Sequence, residues 1–337
     1  MTSNGADPAG ATANPTHLEP SELGTREYPS PNLTLTLPLS SSSWDALYET
    51  EIANHAADPS DTGTNWFDDS GAQDKVLEFL AEHFATAAGA AADEEEAGAE
   101  GKATGKDTAS FLDLGTGNGD LLFGLREHGW RGRALGVDYS ERSVEFARRR
   151  EEARQERFRR EGGGGEEEEE EEGEGNQHGE DEDEVEEARE PVEFARHDIL
   201  AAAGPDAAVV SGAQAPAGAR GGWDVVLDKG TFDAISLSAA TDARGRRINE
   251  GYRGRVLPLV RPGGLFLITS CNWTEEELER WFAGPQQHED GEAGAGGAGA
   301  RGWGFDVVDR IQYRTFSFGG VKGQTISSVC FRKVARE

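Results

Sequence analysis

The stretch "FLDLGTGNGDL", residues 111–121, decides the fold. Phe111 to Leu114 is a short apolar run holding one carboxylate, bounded by turn residues, and it reads as a buried strand. Gly115, Gly117 and Gly119 follow at every second position. They let the chain turn sharply and bring backbone close to a ligand. Leu121, Leu122 and Leu125 then recur at helical spacing, and Gly129 stands at the expected helix C-terminus. A strand, a glycine turn and a helix in that order form one unit of a doubly wound α/β sheet.

The rest of the chain extends this pattern. "DKVLEFLAEHF" (74–84) places Val76, Leu77, Leu80 and Phe84 on one helical face. "ALGVDYS" (134–140) is a second strand, and Ser140 caps the helix "ERSVEFARRR". "VEFARHDIL" (192–200) and "WDVVLD" (223–228) read as strands three and four. "GYRGRVLPLV" (251–260) reads as a helix with Tyr252, Val256, Leu259 and Val260 on one side. "PGG" then turns it into strand five, "LFLITS" (265–270). Thr274 and Glu277 form a capping box for "EEELERWF". "FDVVDRIQY" (305–313) and "ISSVCFRKV" (326–334) are strands with no helical pattern between them, which implies an antiparallel pair. The expected fold is α/β: a seven-stranded Rossmann-like sheet with a terminal antiparallel hairpin and helices on both faces. That hairpin favours the S-adenosylmethionine (AdoMet) methyltransferase sheet over a plain dinucleotide-binding one.

The 337 residues carry a net charge of −31, are 36% hydrophobic and include 45 glycines. Residues 161–190 hold 17 Asp/Glu and one Arg, so that segment alone supplies about half the charge. Such a run cannot bury enough apolar surface to fold and reads as disordered. The expected organisation is a disordered tail over 1–20 and a single domain over 21–337. Low-complexity insertions are read at 29–43, 85–108, 155–190, 201–222 and 284–302. The acidic balance argues against nucleic acid as a partner and suits a basic protein or a cationic small molecule. Cys271 and Cys330 read as two reduced thiols. No apolar run spans a bilayer, and "MTSNGADPAGATANPT" has no signal-peptide pattern. The expected protein is a cytoplasmic monomer with no membrane partner, nuclear access being left open.

The glycine motif is G-x-G-x-G, not the G-x-G-x-x-G of nicotinamide binders. Asp113 just before it would repel a pyrophosphate but could accept from an ammonium. AdoMet carries an ammonium and a sulfonium and no phosphate, so it is the expected cofactor over NAD. Asp138 at the end of strand two can hold a ribose diol, which serves either nucleoside, or simply close a turn. Asp198 at the end of strand three can accept from an adenine amino group, with Ile199 or Leu200 against the ring, or sit in a surface turn. His197 reads as exposed. "GKATGK" (101–106) lacks the spacing and the Ser/Thr of a phosphate loop. No His/Cys cluster has metal-ligand spacing, so no metal is expected. Asp228 and Lys229 end strand four, where chemistry sits in such sheets.

These motifs, with "SELGTREY" (21–28), "WDALYETEIANH" (44–55), "GTNWFDD" (63–69), "LDKGTFDAISL" (227–237) and "SFGGVKGQTISSVCFRK" (317–333), resemble the elongation factor 1-alpha lysine methyltransferases. That is the family of methyltransferase-like protein 10 and its fungal counterparts. The resemblance implies AdoMet-dependent methylation of a lysine on translation elongation factor 1-alpha. It implies that Asp113, Gly115, Gly117, Asn118 and Gly119 line the methionine end of the cofactor. Asp138 and Tyr139 would lie at the ribose, and Asp198 and Ile199 at the adenine. Asp228 would face the methyl-transfer end and steer the incoming amine, with Tyr48, Trp66 and Phe67 forming the substrate pocket. Lys229 is expected to turn away and pair with Asp233 or Glu51. Residues 29–43 interrupt the family pattern and read as a retained intron. A methyltransferase on another protein, a small amine or an RNA, and a catalytically silent module, are the alternative functions.

Overall fold

The computed structural model describes residues 41–93, 104–162, 190–201, 221–284, 302–318 and 321–336. The tail over 1–20, the block 21–28, residues 94–103 of the expected insertion 85–108 and most of each other expected insertion lie outside them.

Helix α1 spans Ser41–Ala57 and α2 Ala72–Asp93, with a 3-10 turn at Asp68–Ser70 between them. Then come β1 Phe111–Leu114, α3 Asp120–Glu127, β2 Ala134–Asp138, α4 Glu141–Gly162 and β3 Glu193–Arg196. They are followed by β4 Trp223–Lys229, α5 Thr231–Ser236, a 3-10 turn at Ile248–Gly251, α6 Tyr252–Val256, β5 Val260–Ser270 and α7 Glu275–Phe282. Strands β6 Gly302–Ile311, β7 Thr315–Phe318, β8 Val321–Gln324 and β9 Ser327–Arg336 complete the described chain.

Seven strands form one sheet in the order β3-β2-β1-β4-β5-β9-β6. The first five are parallel, and β9 runs antiparallel between β5 and β6. The expected seven-stranded α/β fold with its terminal antiparallel strands is therefore present. Alternate residues of the strands feed two cores, as a sheet covered on both faces requires. On one face Phe111, Val225, Leu227, Leu265 and Leu267 pack with Val76, Leu77 and Leu80 of α2 and Leu121, Leu122 and Leu125 of α3. On the other, Leu112, Leu114, Val226, Phe266 and Ile268 pack with Phe232, Tyr252, Val256, Leu278 and Phe282. The Thr274–Glu277 capping box forms in both directions.

Several boundaries differ from expectation. Helix α1 starts at Ser41, so the last three residues of the 29–43 segment form its first turn. Helix α2 continues to Asp93, because alanine is the best helix former. Helix α4 runs on to Gly162 through Arg and Glu, which also favour helix. Helix α6 stops at Val256; Leu257 still has helical φ −53° and ψ −43°, but Pro258 has no N–H to carry the helix on. Val260 instead begins β5, which runs on through Pro262 and Gly263 with a register shift against β4. The link between β6 and β9 carries a separate antiparallel pair, β7–β8.

Candidate active site

The order of parallel strands reverses at β1, which lies between β2 and β4. Ligands bind outside the carboxyl ends of the strands at such a switch point. Register places Leu114 beside Asp228 on β4 and beside Val137 on β2, so Asp113, Asp138 and Asp228 gather at that end.

The glycine turn is built tightly. Gly115 has φ +67°, and a Cβ there would collide with the hydroxyl of Thr231, which donates to the Leu114 carbonyl. Gly117 has φ +59°, and a Cβ would come within 2.9 Å of the Tyr48 hydroxyl. Its N–H donates to Asp138 Oδ2 at 3.2 Å, while Asp138 Oδ1 accepts from the Ser140 N–H at 2.9 Å. Burial raises the pKa of Asp138, against those donors. Asp113 is buried and raised to about 7, chiefly by desolvation, with the Thr116 hydroxyl and the Lys229 ammonium pulling the other way. Ser140 caps α4 through the Ser143 N–H and donates its hydroxyl to Asp45 of α1.

The N-terminal block lies across this end of the sheet. Asn118 donates to the carbonyls of Thr62 and Thr64, so its amide holds that block in place. Glu51 accepts from the Thr64 N–H and hydroxyl. Tyr48 is buried, and burial with Asp138 nearby raises its pKa. Trp66 meets Trp44 edge-to-face at 5.4 Å between centroids, and Trp44 stacks on Tyr48 at 6.4 Å. Phe67 packs against the core and against Gly230. Trp44 was missed in the sequence, although its position one helical turn before Tyr48 was a usable signal.

The carboxyl end of β3 contributes a turn. Asp198 is exposed, accepts from the Leu200 N–H, and lies near Tyr139. Ile199 and Leu200 are partly buried against the second core. Tyr139 is partly buried, with its carbonyl accepting from Arg196. His197 is also partly buried, and its N–H donates to the Asp138 carbonyl.

One expectation at the β4 exit, the pairing of Lys229, is corrected. The Asp228 carboxylate beside it is held inside the fold. It is 2% exposed and accepts from the N–H groups of Thr231 and Phe232 and from the Tyr252 hydroxyl at 2.7 Å. The first N–H groups of α5 have no partner within the helix, and the carboxylate turns inward to take them. Desolvation raises it to about 7. Lys229 pairs with neither Asp233 nor Glu51. Its ammonium donates to the Trp66 carbonyl at 2.9 Å and to Asn65 Oδ1 at 3.2 Å. Asp233 is engaged by the Ser270 hydroxyl and the Cys271 N–H. Among the described residues no group of three or more His, Cys, Asp or Glu could hold a metal ion. Lys106 of the rejected phosphate-loop pattern donates to the His128 carbonyl.

A methyltransferase-domain family model matches residues 105–160, which contain the glycine turn and Asp138. Over 316 residues the chain is 31% identical to the protein-lysine N-methyltransferase EFM4 of Saccharomyces cerevisiae, covering 94% of this chain and 96% of that one. It is 30% identical over 322 residues to efm4 of Schizosaccharomyces pombe, covering 94% and 95%. It is 25% identical over 315 residues to human EEF1A lysine methyltransferase 2, covering 94% and 88%. Such similarity, running through both the sheet and the N-terminal block, makes this chain a member of the EFM4 and EEF1A lysine methyltransferase 2 family of protein-lysine methyltransferases.

Proposed function

We propose that this protein methylates a lysine side chain of translation elongation factor 1-alpha, using AdoMet as the methyl donor. The observation that carries the reading is the 31% identity over 94% of the chain to a protein-lysine methyltransferase. The substrate is the one named for the vertebrate relatives, EEF1A lysine methyltransferase 2.

The residues present fit the cofactor. Two carboxylates, Asp113 and Asp138, stand at neighbouring strand ends beside backbone that only glycine allows. Their charge suits an ammonium and a ribose diol. In this reading Asp113, Gly115, Gly117 and Gly119 hold the methionine end, and Asn118 fixes the block above it. Asp138 and Tyr139 serve the ribose, and Asp198 and Ile199 the adenine. When bound, AdoMet supplies an electrophilic methyl group on sulfonium.

The chain must then align an uncharged amine with that methyl group. A lysine starts near pKa ~10.4 in water. Removing it from water among Tyr48, Trp66, Phe67 and Trp44 lowers that value and frees the lone pair. Asp228 acts at one remove, fixing α5 and Tyr252 behind the site. The protein works as a monomer in the cytoplasm, a compartment in keeping with free thiols at Cys271 and Cys330. Among the described residues no helix is long and apolar enough to cross a membrane.

Purified protein with labelled AdoMet and a cell lysate tests this. Label should enter a band that peptide mapping assigns to a lysine of elongation factor 1-alpha. Label in RNA, or in other proteins only, would remove the proposal.

A further inference from the structure

Lys229 is the last residue of β4, yet its side chain serves the N-terminal block. It reaches the residues just before the 3-10 turn at Asp68–Ser70, bonding to Asn65 Oδ1 and the Trp66 carbonyl. Its Nζ stands 5.9 Å from the centroid of the Phe67 ring. The next residue, Gly230, meets the other side of the same corner, where a Cβ would come within 3.2 Å of that ring. Phe67 is also the single described non-glycine residue with positive φ, at 67°. A left-handed residue of that size persists only where its surroundings impose it.

The corner matters because of what it carries. Trp66 lies at its centre, against Trp44, and Trp44 lies on Tyr48, whose hydroxyl closes on Gly117. Three rings thus make an arch from the glycine turn to the exit of β4. Tyr48 is one foot and the Trp66 carbonyl, held by Lys229, is the other. Both acceptors of the ammonium are neutral oxygens, so the charge completes no ion pair with them. An apolar chain of the same length would fill the space without the desolvation penalty of a charge. What it could not do is hold a carbonyl and an amide oxygen in fixed directions.

We propose that Lys229 is a positioning residue for the protein substrate: by pinning the Asn65–Phe67 corner it fixes the aromatic arch past which the substrate lysine enters. This rests on the lysine-methyltransferase reading above. Lys229 does not touch the reacting atoms. An ammonium close to a sulfonium and a second lysine would be repelled by both.

The test compares Lys229→Met with wild type by two independent measurements. Hydrogen exchange of peptides within 58–71 should quicken, with those from β1 and β5 unchanged. The KM for elongation factor 1-alpha should rise about tenfold, the loss of charge-assisted hydrogen bonds being felt in substrate binding. The kcat should stay within about threefold, while the KM for AdoMet is expected to rise too, because the Lys229 ammonium favours the ionised form of Asp113. Lys229→Gln keeps a donor and should recover most of the lost KM. Asn65→Ala removes one acceptor, should shift KM in the same direction by less, and stands in if Lys229→Met does not fold. Unchanged exchange at 58–71 overturns the clamp. Faster exchange with an unmoved KM overturns the positioning role, as does a fall in kcat at constant KM. If wild type leaves elongation factor 1-alpha unmethylated, the functional reading fails, and the exchange data still decide the clamp.

Discussion

Burial holds the Asp113 carboxyl at about 7, so near neutral pH it divides between its two protonation states. Only the ionised form attracts an ammonium. Below pH 7 the proton must leave before the cofactor's amino group is paired, so AdoMet affinity is expected to fall by up to about tenfold per pH unit. Calorimetry at pH 6 and pH 8 checks this, and equal affinities would refute it. Asp113→Asn should bind weakly at both values, with no such slope. A second residue-scale expectation concerns Gly115. Alanine there meets both a positive φ and the Thr231 hydroxyl, which is bound to Leu114. Gly115→Ala should destabilise the fold by about 1–3 kcal/mol and abolish tight AdoMet binding. Thermal unfolding and calorimetry on the same sample separate the two effects.

Helix α7 shows how far local chemistry alone determines an element. Its capping box satisfies the Glu277 N–H through Thr274 and the Thr274 N–H through Glu277. Thr274→Ala should lower stability by about 1 kcal/mol, read as a fall in the denaturation midpoint at unchanged slope. This box was legible in the sequence, as were the glycine turn and the Ser140 cap. Each depends on neighbours within a few positions. What stayed illegible depends on contacts between distant segments. Lys229 and Asn65 are 164 residues apart, and Tyr252 reaches Asp228 across 24. A strand ending in Asp-Lys-Gly looks like an open active-site edge until α5, α6 and the N-terminal block are in place. The boundary errors have the opposite cause. Ala-rich and Arg/Glu-rich stretches look like low complexity, yet they are good helix formers and extend α2 and α4.

At the scale of the whole molecule, four buried aspartates among the described residues, Asp113, Asp138, Asp228 and Asp233, oppose the usual pH dependence of stability. Desolvation places Asp113 and Asp228 at about 7 and Asp233 at about 6, above an unfolded carboxyl near ~3.9. A folded pKa above the unfolded one contributes stability that is complete below about pH 4 and is lost as pH rises through 6 to 7. The net charge of −31 adds self-repulsion over the same range. The melting temperature without ligand is therefore expected to be higher at pH 6 than at pH 8, and a scan showing the reverse would contradict this account. Acid thus favours the empty fold while weakening cofactor binding, so AdoMet should stabilise most above neutrality. The position of β9 has its own consequence for synthesis. This strand fills the gap between β5 and β6, yet it follows both in the chain. Until residues near 336 clear the ribosome, β5 offers a long apolar edge with no neighbour, a ready template for wrong pairing. A nascent chain of this design closes its sheet only after β9 has been made.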